Sequence, residues 1–481
     1  ESMLTGESTL IDKSPGSPIF CASMNTTGSF TFKVTKLGSE TIFSNIVSLV
    51  EETQFSKAPI QRLVDIISSY FVPTVIIISL GVFVLWSLLG PNSDYMIAIM
   101  AAVAVLIIAC PCAMGLATPT AIMIGTGKAA EHGILIRNAE AFELAHKAEI
   151  VVLDKTGTLT FGKPSVTDVV AVGISESELL TVVASAEQGS EHPLSIALIN
   201  YAEEKALNLS QPKGFKAFPG LGVEAKVDGS TVAIGNREFM NRKGLSVELL
   251  NARATDFSKQ GKTTLFVVVD EDVKGVIAVA DIVRPESALI VNTLRAHGLE
   301  VVMLTGDNKD TAEAVANHIG ISLVSAEILP ADKSDYIKTV QKNGKMVIMI
   351  GDGINDAPAL VQADVGIAIG TGTDIAIESA DITLVGSHLK GITTTIELSK
   401  ATMKTIKQNL FWAFAYNVAL IPIAAGVLYP VFMNGGVPDI LRPVLGDFGF
   451  LNPVLAASAM ALSSVTVVAN SLRLKGFSVK I

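Results

Sequence analysis

Residues 150–158 read IVVLDKTGT and carry most of the information about the fold. The four apolar residues Ile150–Leu153 predict a strand that is buried on both faces, as in parallel sheets. Asp154 ends this strand, and a glycine turn flanked by two threonines follows it. Backbone N–H groups in such a turn can hold phosphate oxygens, and an aspartate facing them can attack phosphorus. The competing interpretation is an aspartate that only caps a turn.

Three further apolar runs end in small or acidic residues. They are Val301–Leu304 before Thr305, Gly306 and Asp307, Met346–Ile350 before Gly351 and Asp352, and Val365–Ile369 before Gly370. Helical patterns over residues 310–319 and 331–341 alternate with these runs. The pattern predicts a parallel sheet covered by helices, with a site at the carboxyl ends of the strands. Asp154, Asp307 and Asp352 would meet there.

The spacing between two of these carboxylates predicts an inserted domain. Asp154 and Asp352 are 352 − 154 = 198 residues apart, so the chain between them must fold separately if they share one site. Residues 165–278 contain a helical stretch at 177–187, a glycine-rich stretch at 219–222 and an apolar run at 265–269. We therefore expect an inserted α+β domain.

The composition predicts a multi-pass α-helical membrane protein. Of the 481 residues, 49% are hydrophobic and only 17% are charged, against roughly 25% charged in soluble proteins. Four stretches without charged side chains exceed the roughly 20 residues that a spanning helix needs: residues 66–93, 95–127, 408–438 and 448–472. The alternative is a set of buried core helices. Lysine and arginine collect on one side of these stretches, which predicts that residues 128–407 are cytoplasmic.

The net charge limits the possible partners of the protein, and the first residues predict the kind of domain with which the chain begins. The net charge of −10, from 36 basic and 46 acidic residues, argues against a nucleic-acid partner. Residues 1–50 contain short β-like runs, such as Phe30–Val34, between glycine and serine turns. We expect part of a small β-rich domain there. Because the chain begins with Glu1 rather than Met, we also expect a fragment.

Cys110-Pro111-Cys112 lies inside the second apolar stretch. Pro111 removes a backbone donor and disrupts the helix, which frees carbonyl groups at membrane depth. Thiolates are soft ligands that select copper(I), zinc and similar ions. The alternative is that both cysteines are merely small apolar residues. Two sulfurs around a helix-breaking proline favour a metal site.

Three signatures occur in order: DKTGT at 154–158, TGD at 305–307 and GDGIND at 351–356. In these the chain resembles the P-type ATPases and, more broadly, the haloacid dehalogenase superfamily. The resemblance implies a haloacid dehalogenase-like parallel sheet, an inserted α+β nucleotide-binding domain and a partial β-rich actuator domain. It also implies an enzyme that hydrolyses ATP through an aspartyl phosphate and moves an ion.

The resemblance also assigns roles around the phosphorylated carboxylate. The catalytic residues would be Asp154 as nucleophile, Thr156, Lys333, Thr305, Gly306 and Asp307, with Glu7 of TGES at 5–8 directing water. Mg²⁺ would be bound by Asp154, Asp352, Asp356 and the carbonyl group of Thr156, since this ion prefers hard oxygen ligands.

An ATP pocket needs apolar surface for adenine and bare backbone near the phosphates. The segments SEHPL at 190–194 and Gly220-Leu221-Gly222 meet that need, although their spacing alone is weak evidence. The resemblance to the heavy-metal branch of the P-type ATPases implies a nucleotide site of Glu187, His192, Gly220, Gly222, Gly235 and Asn236.

The membrane segments resemble the copper(I)-transporting subgroup, whose pattern is C-P-C, then Y-N, then M-x-x-S-S. The implied copper ligands are Cys110, Cys112, Tyr416, Asn417, Met460 and Ser464. Zinc and cadmium pumps of the family usually have a carboxylate in the last span, whereas residues 448–472 contain none. Silver(I) is chemically similar to copper(I) and stays a possible substrate.

The resulting prediction is ATP-driven export of copper(I) by an integral membrane protein whose catalytic domains are cytoplasmic. Copper would come from a chaperone or from metal-binding domains upstream, and ATP, Mg²⁺ and the lipid bilayer are the other expected partners. One alternative is a zinc or cadmium pump of the same fold. The other is a membrane-tethered phosphatase of the haloacid dehalogenase type without transport.

The predicted boundaries follow from these motifs. They are a partial actuator domain at 1–50, membrane spans one and two at 51–127, a phosphorylation domain at 128–164 and 279–400, a nucleotide-binding domain at 165–278, and spans three and four at 401–481.

Overall fold

The computed structural model describes residues 14–17, 19, 25, 30–35, 37, 58–89, 95–190, 192–218, 221–307, 309–352, 356–370, 380–386 and 388–478. Glu7 and most of the predicted actuator range lie outside the described residues, as do Gly220 and Asn355. The expected β run at Phe30–Val34 is described and was wrong, because it forms no strand. A strand needs a hydrogen-bonded partner, and no described residue pairs with this run.

The elements follow one another along the chain as three groups. The first group is α1 (Pro59–Leu89), α2 (Tyr95–Ile108), α3 (Cys112–Glu131), β1 (Ile134–Ile136), α4 (Ala139–Ala145) and β2 (Ile150–Asp154). The second is β3 (Thr160–Ala171), α5 (Glu176–Glu187), α6 (Pro193–Glu204), β4 (Lys213–Phe218), β5 (Gly222–Val227), β6 (Ser230–Gly235), α7 (Arg237–Arg242), α8 (Asn251–Lys259), β7 (Thr263–Val269) and β8 (Asp272–Val283). The third is α9 (Ser287–Ala296), β9 (Glu300–Leu304), α10 (Lys309–Ile319), β10 (Leu323–Ser325), α11 (Pro330–Lys342), β11 (Val347–Gly351), α12 (Ala357–Gln362), β12 (Val365–Gly370), β13 (Ile382–Val385), α13 (Lys390–Ala424), α14 (Tyr429–Phe432), α15 (Arg442–Leu445) and α16 (Pro453–Leu472).

The chain divides into two compact units. The membrane unit comprises residues 1–147, 381–386 and 391–481, and the catalytic unit comprises residues 148–380 and 387–390. In the membrane unit, β1 and β13 form a short antiparallel pair. Helices α1, α2, α13 and α16 pack through a shared apolar cluster that includes Val75, Val105, Ala424 and Ala456.

Three helical segments of the described chain are long and apolar enough to cross a membrane: Pro59–Leu89, Tyr95–Glu131 and Pro453–Gly476. The second is interrupted at Pro111, as predicted, since α2 ends at Ile108 and α3 begins at Cys112. The third predicted stretch, 408–438, was wrong in its extent. Its helix, α13, ends at Ala424, and Gly426 follows with a φ of 89°, a left-handed conformation that terminates helices.

The catalytic unit contains a parallel sheet that positions the predicted site. Within this unit the strand order is β12-β11-β2-β9-β10, and each neighbouring pair is parallel. Four of these strands, β2, β9, β11 and β12, are the apolar runs that the sequence predicted as strands, and they are buried because helices cover the sheet. The sequence analysis did not predict β10, which lies at the edge of the sheet. Val152, Val302, Ile337 and Met349 belong to one such core cluster.

A second, antiparallel sheet is inserted between β2 and β9, in the order β3-β8-β7-β6-β5-β4. Its helices lie on both faces. Leu180 and Leu198, from α5 and α6, join one core cluster, and Phe239 and Ala254, from α7 and α8, join the other. The sheet runs from Thr160 to Val283, five residues beyond the predicted range of 165–278 at each end.

Candidate active site

The carboxyl ends of β2, β9 and β11 bring three sequence signatures to one edge of the parallel sheet. Asp154 is the last residue of β2 and pairs in register with Leu304 at the end of β9. Asp352 directly follows β11, whose Ile350 pairs with Leu153. Parallel strands deliver the residues after their carboxyl ends to the same edge, which is why distant parts of the chain meet there.

Lys333 joins two buried carboxylates at this edge. Its Nζ lies 2.6 Å from Oδ1 of Asp154 and 2.6 Å from Oδ1 of Asp356. All three side chains are nearly inaccessible, with relative exposures of 6%, 7% and 1% respectively. Lys333 lies in the first turn of α11, so a helix start sets the position of this cation. One ammonium group therefore faces two carboxylates that are excluded from water.

Burial and crowding disturb the protonation of this cluster. Burial, reinforced by the nearby charge of Asp356, raises the pKa of Asp154 to about 7, although Lys333 opposes the shift. Burial also raises the pKa of Asp356. Burial pulls the pKa of Lys333 down, but the two carboxylates outweigh it and hold that pKa above its ordinary value. The site thus has more negative charge than Lys333 can neutralise.

This surplus of negative charge suits a hard cation. Within the described chain, Oδ2 of Asp356 and Oγ1 of Thr158 are buried and form no hydrogen bond. A Cβ added at Gly157 would lie 3.2 Å from Oδ2 of Asp352, so that carboxylate borders the loop after Asp154. Among the residues that the structure describes, including 309–352 and 356–370, no group of three His, Cys, Asp or Glu side chains could hold a metal ion by itself. The donors fit Mg²⁺, which takes few carboxylates and completes its shell with water and phosphate.

The loop at 155–159 turns sharply after Asp154. Gly157 has a φ of 75°, which favours glycine, and Thr156 is exposed beside it. Lys155 is buried and forms an ion pair with Asp307. Oγ1 of Thr305 accepts a hydrogen bond of 3.1 Å from the backbone N–H of Asp307, which shapes the turn containing Gly306. The predicted catalytic residues of the second signature therefore border the loop of the first.

The inserted domain contains several residues of the predicted nucleotide site. Ser195 donates a hydrogen bond of 2.6 Å to Oε2 of Glu187, and burial raises the pKa of that carboxyl group. His192 is exposed and caps α6 by accepting from the N–H of Leu194. Asn236 caps α7 by accepting from the N–H of Phe239 at 2.9 Å. The last two side chains thus stabilise the starts of two helices.

Gly222 and Gly235 are paired across β5 and β6, and neither tolerates a side chain. A Cβ at Gly222 would lie 2.2 Å from the carbonyl oxygen of Ile234, and one at Gly235 would lie 2.5 Å from that of Leu221. Both would also meet the ring of Phe239. The close approach of the two strands and of the Phe239 ring therefore requires glycine at both positions.

The predicted copper ligands lie on α3, α13 and α16 and at the break before α3. Cys110 and Cys112 flank Pro111 and form a disulfide, with Cα atoms 5.4 Å apart. The sequence predicted a metal site of two thiolates, and only the reduced pair can supply thiolates to a metal. Oδ1 of Asn417 is buried and has no hydrogen-bond partner among the described residues. Met460 packs against the cluster containing Ile108 and Ala109, just before Cys110.

Two predicted ligands have ordinary structural contacts. Ser464 donates to the carbonyl of Met460, one turn earlier on α16, at 3.3 Å. The ring of Tyr416 lies 6.2 Å from that of Trp412 between centroids. These contacts anchor the side chains and test no metal role.

Comparisons with known proteins agree with this geometry. Residues 148–364 match the haloacid dehalogenase-like hydrolase family, and residues 333–396 match a second family of that description. Residues 1–51 match the P-type ATPase actuator domain. Among solved structures, a zinc-transporting PIB-type ATPase superposes with a TM-score of 0.75 at 34% identity. The match covers 92% of this chain and 69% of that one.

This chain belongs to the P-type ATPase family. A second solved structure of a zinc-transporting PIB-type ATPase is also similar, with a TM-score of 0.67, 34% identity and coverage of 98% of this chain and 74% of that one. The family is composed of integral membrane proteins whose catalytic domains are cytoplasmic. The three apolar helical segments found among the described residues are accordingly candidate membrane spans of this P-type ATPase.

Curated relatives of this P-type ATPase are more similar still. A copper-exporting P-type ATPase of Staphylococcus saprophyticus is 48% identical over 475 residues, which are 99% of this chain and 56% of that protein. The probable copper-transporting ATPase PacS of Synechococcus elongatus is 50% identical over 479 residues, covering 99% and 62%. The chain thus spans a little over half the length of these relatives.

The structure of this P-type ATPase adds residues that the sequence analysis missed. Arg284, which follows β8, is buried and donates from Nε to the carbonyl of Thr160 and from its guanidinium to the carbonyl of Gly157, both at 3.0 Å. Ser287 donates to the carbonyl of Leu159 at 2.8 Å. Asp281 accepts hydrogen bonds from Thr160 and from the N–H of Gly162. The only signal in the sequence was the string DIVRPES directly after an apolar run.

Proposed function

We propose that this chain is the core of an ATP-driven copper(I) exporter that works through an aspartyl phosphate on Asp154. The observation that carries the proposal is the combination of two sites in one chain. One is the buried Asp154–Lys333–Asp356 cluster, and the other is the cysteine pair at the break before α3. Relatives named as copper-exporting and copper-transporting ATPases, 48% and 50% identical over 99% of the chain, support this substrate.

The proposed chemistry begins with attack of the Asp154 carboxylate on the γ-phosphorus of ATP. An acyl–phosphate bond forms, and the bond from phosphorus to the bridging oxygen breaks, so ADP leaves. Mg²⁺, held by Asp154, Asp352, Asp356 and the Thr156 carbonyl, would neutralise phosphate charge. Lys333, Thr305, Gly306 and Asp307 would contact the phosphoryl group or support its loop. Glu7 would direct the water that later hydrolyses the phosphoenzyme.

The proposed nucleotide site is formed by Glu187, His192, Gly220, Gly222, Gly235 and Asn236. In this proposal each domain has one role. Residues 165–278 bind ATP, residues 128–164 and 279–400 accept the phosphoryl group, and residues 1–50 belong to the actuator domain. Copper(I) would reach the membrane from a chaperone or from metal-binding domains elsewhere in the protein.

In the membrane, the proposed ligands are Cys110, Cys112, Tyr416, Asn417, Met460 and Ser464. Thiolate and thioether groups are the ligands that monovalent copper prefers. Because the cysteines can pair with each other, the proposal requires a reducing cytoplasm or a reductant in the assay. Ion binding and phosphorylation would each favour one of two global states, which couples them.

The deciding experiment measures the acid-stable phosphoenzyme formed from γ-labelled ATP by the reduced pump in membranes. Copper(I) should stimulate labelling, and Asp154→Asn should abolish it. Cys110→Ser with Cys112→Ser should remove the copper dependence, while Ser458→Ala, an exposed change on α16, should not. Labelling that does not change between copper(I) and a copper(I) chelator would overturn the proposal.

A zinc pump is the second candidate, because two similar solved structures are zinc-transporting PIB-type ATPases. Helix α16 contains no Asp or Glu, which disfavours a divalent substrate. Stimulation of ATP hydrolysis by zinc rather than copper(I) would favour this candidate. Metal-independent hydrolysis of simple phosphate esters would instead favour a tethered phosphatase.

A further inference from the structure

Helix α13 changes from a basic to an aromatic surface along one exposed face. Lys400, Lys404 and Lys407 are spaced by four and three residues, so they lie on the same side of the helix. Phe411 and Trp412 continue that side one turn later and are 64% and 48% exposed. The surface therefore passes from three ammonium groups to two aromatic rings within about 18 Å, at 1.5 Å per residue.

A cavity of about 460 Å³ lies along this face. Its lining includes His146 together with the three lysines and the two aromatic residues, and no acidic side chain of the described residues lines it. The volume falls in the range of small-molecule sites, roughly 300–1,000 Å³. A basic and an apolar region are thus parts of one concave surface.

No described residue forms an ion pair with the positive charges in this cavity. Among the residues that the structure describes, no ion pair involves Lys400, Lys404 or Lys407. The nearby carboxylate of Glu143 is buried and already engaged, with Lys147 and with the backbone N–H of Ile60.

His146 adds no further charge at neutral pH. Its Nδ1 is hydrogen-bonded to the carbonyl of Glu143. Burial lowers its pKa, and the positive charges of Lys147 and Lys407 lower it further. The cavity therefore presents three cations and a neutral imidazole, which is a surface that attracts an anion.

The position of the cavity selects the kind of anion. Lys400, Lys404 and Lys407 directly precede the part of α13 from residue 408 to 424, which contains no charged side chain, and Trp412 lies near the start of that part. Lysine and tryptophan at the start of an apolar segment are typical of the membrane–water interface, and lysines at that level attract anionic lipids. A free phosphate ion would use the lysines and leave the rings of Phe411 and Trp412 without a partner. A phospholipid would use both, because its phosphate oxygens accept from ammonium groups while its glycerol and acyl carbons contact the rings.

We propose that the α13 cavity binds the headgroup of an anionic glycerophospholipid, with its phosphate on Lys400, Lys404 and Lys407 and its acyl chains along Phe411 and Trp412. None of these five residues belongs to the proposed copper or ATP sites, so the lipid proposal can fail without affecting the proposed function, and the reverse is also true.

The first test counts bound lipid by native mass spectrometry after the full chain is purified from vesicles of equal phosphatidylglycerol and phosphatidylcholine. Phosphatidylglycerol should be retained preferentially, and Lys400→Gln with Lys404→Gln and Lys407→Gln should reduce that preference at least about tenfold. The matched control makes the same charge change at Lys213, Lys259 and Lys342, exposed lysines of the catalytic unit, and should retain the preference.

The second test reads the lipid at Trp412 directly. The chain has only two tryptophans, so Trp86→Phe leaves Trp412 as the reporter. Brominated phosphatidylglycerol should quench its fluorescence more than brominated phosphatidylcholine, and an excess of inorganic phosphate should not reverse the difference. Equal retention of phosphatidylglycerol by the two triple variants, equal quenching by both lipids, or full displacement by phosphate would each overturn the proposal.

Discussion

At Asp154, burial and neighbouring charge act together. This residue is almost inaccessible and lies beside Asp356, and Lys333 is the single cation in contact with both carboxylates among the residues described. Burial first, and then the charge of Asp356, raise its pKa to about 7. In the ligand-free protein this carboxyl group is therefore only partly ionised at neutral pH. Binding of a cation would favour the ionised form, which is the nucleophile.

The raised pKa predicts a pH-dependent effect of Asp154→Asn on stability. In the folded protein, Asp154 keeps its proton up to about pH 7, whereas in the unfolded chain it loses the proton near pH 4. The Asp154 side chain therefore makes its full contribution to the stability of the wild-type protein below pH 4, and this contribution is lost as the pH rises to 7. The asparagine variant avoids this loss, so its advantage should grow from pH 4 to 7, to about 1–3 kcal/mol, and then level off.

Differential scanning calorimetry in detergent and EDTA measures this as a difference in melting temperature of the catalytic unit. Asp335→Asn, an exposed change on the same helix as Lys333, is the control and should show no such trend. An advantage of Asp154→Asn that is constant from pH 4 to 8 would contradict the raised pKa.

At the scale of elements, the strands β5 and β6 show how close packing can require glycine in a sheet. Gly222 and Gly235 pair directly, and a Cβ on either would meet backbone oxygen at 2.2 or 2.5 Å. Backbone cannot rotate away as a flexible side chain can, so the two strands would have to separate. The pair therefore keeps both the core of the inserted domain and the proposed nucleotide surface in register.

Gly222→Ala should consequently lower the free energy of unfolding of the inserted domain by about 1–3 kcal/mol and weaken nucleotide binding. Thermal melting and titration with a fluorescent ATP analogue measure the two effects. Gly229→Ala is the control, because its φ of 94° imposes strain but a Cβ there meets open space. If Gly222→Ala left both the melting temperature and nucleotide binding unchanged, the two strands would be able to separate without an energetic penalty, and the prediction would be wrong.

At the scale of the whole molecule, polar as well as apolar groups join the membrane helices. Asn409 of α13 is 1% exposed and donates from Nδ2 to Oγ of Ser471 at 2.9 Å and to the carbonyl of Ala117 at 3.3 Å. Its Oδ1 accepts from Asn470 at 2.9 Å. One side chain thus connects α3, α13 and α16, which carry the proposed copper ligands beyond the helix break.

Asn409→Leu should destabilise the membrane unit by about 1–2 kcal/mol, since it removes three hydrogen bonds between helices and leaves Ser471 and Asn470 poorly satisfied. Calorimetry of the detergent-solubilised chain should show a lower melting temperature for the membrane unit and an unchanged one for the catalytic unit. Thr466→Val removes an exposed hydroxyl from α16 and is the control. A catalytic unit that melts earlier to the same extent would contradict this local role.

Local sequence patterns were enough to predict the strands β2, β9, β11 and β12, the helices α5, α10 and α11, and the helix break at Pro111. Each of these depends on apolar periodicity or on proline, which act over a few neighbouring residues. The order of the signatures also indicated the family before any contact was known. The run at Phe30–Val34 and the end of α13 were predicted wrongly, since the first lacks a described partner and the second is set by a single left-handed glycine.

The contacts between distant groups could not be predicted from the sequence and became visible only in the folded chain. The ion pairs of Lys333, the hydrogen bonds of Arg284 to the loop after Asp154 and the contacts of Asn409 join residues 23 to 292 positions apart. No local pattern reports such pairings, because they arise from strand order and helix packing rather than from backbone preference. A lone lysine, arginine or asparagine has the same appearance in the sequence whether it is exposed or buried against a carboxylate. Its burial, and with it the strength of its charge or hydrogen bond, comes into being only when the sheet and the helices assemble.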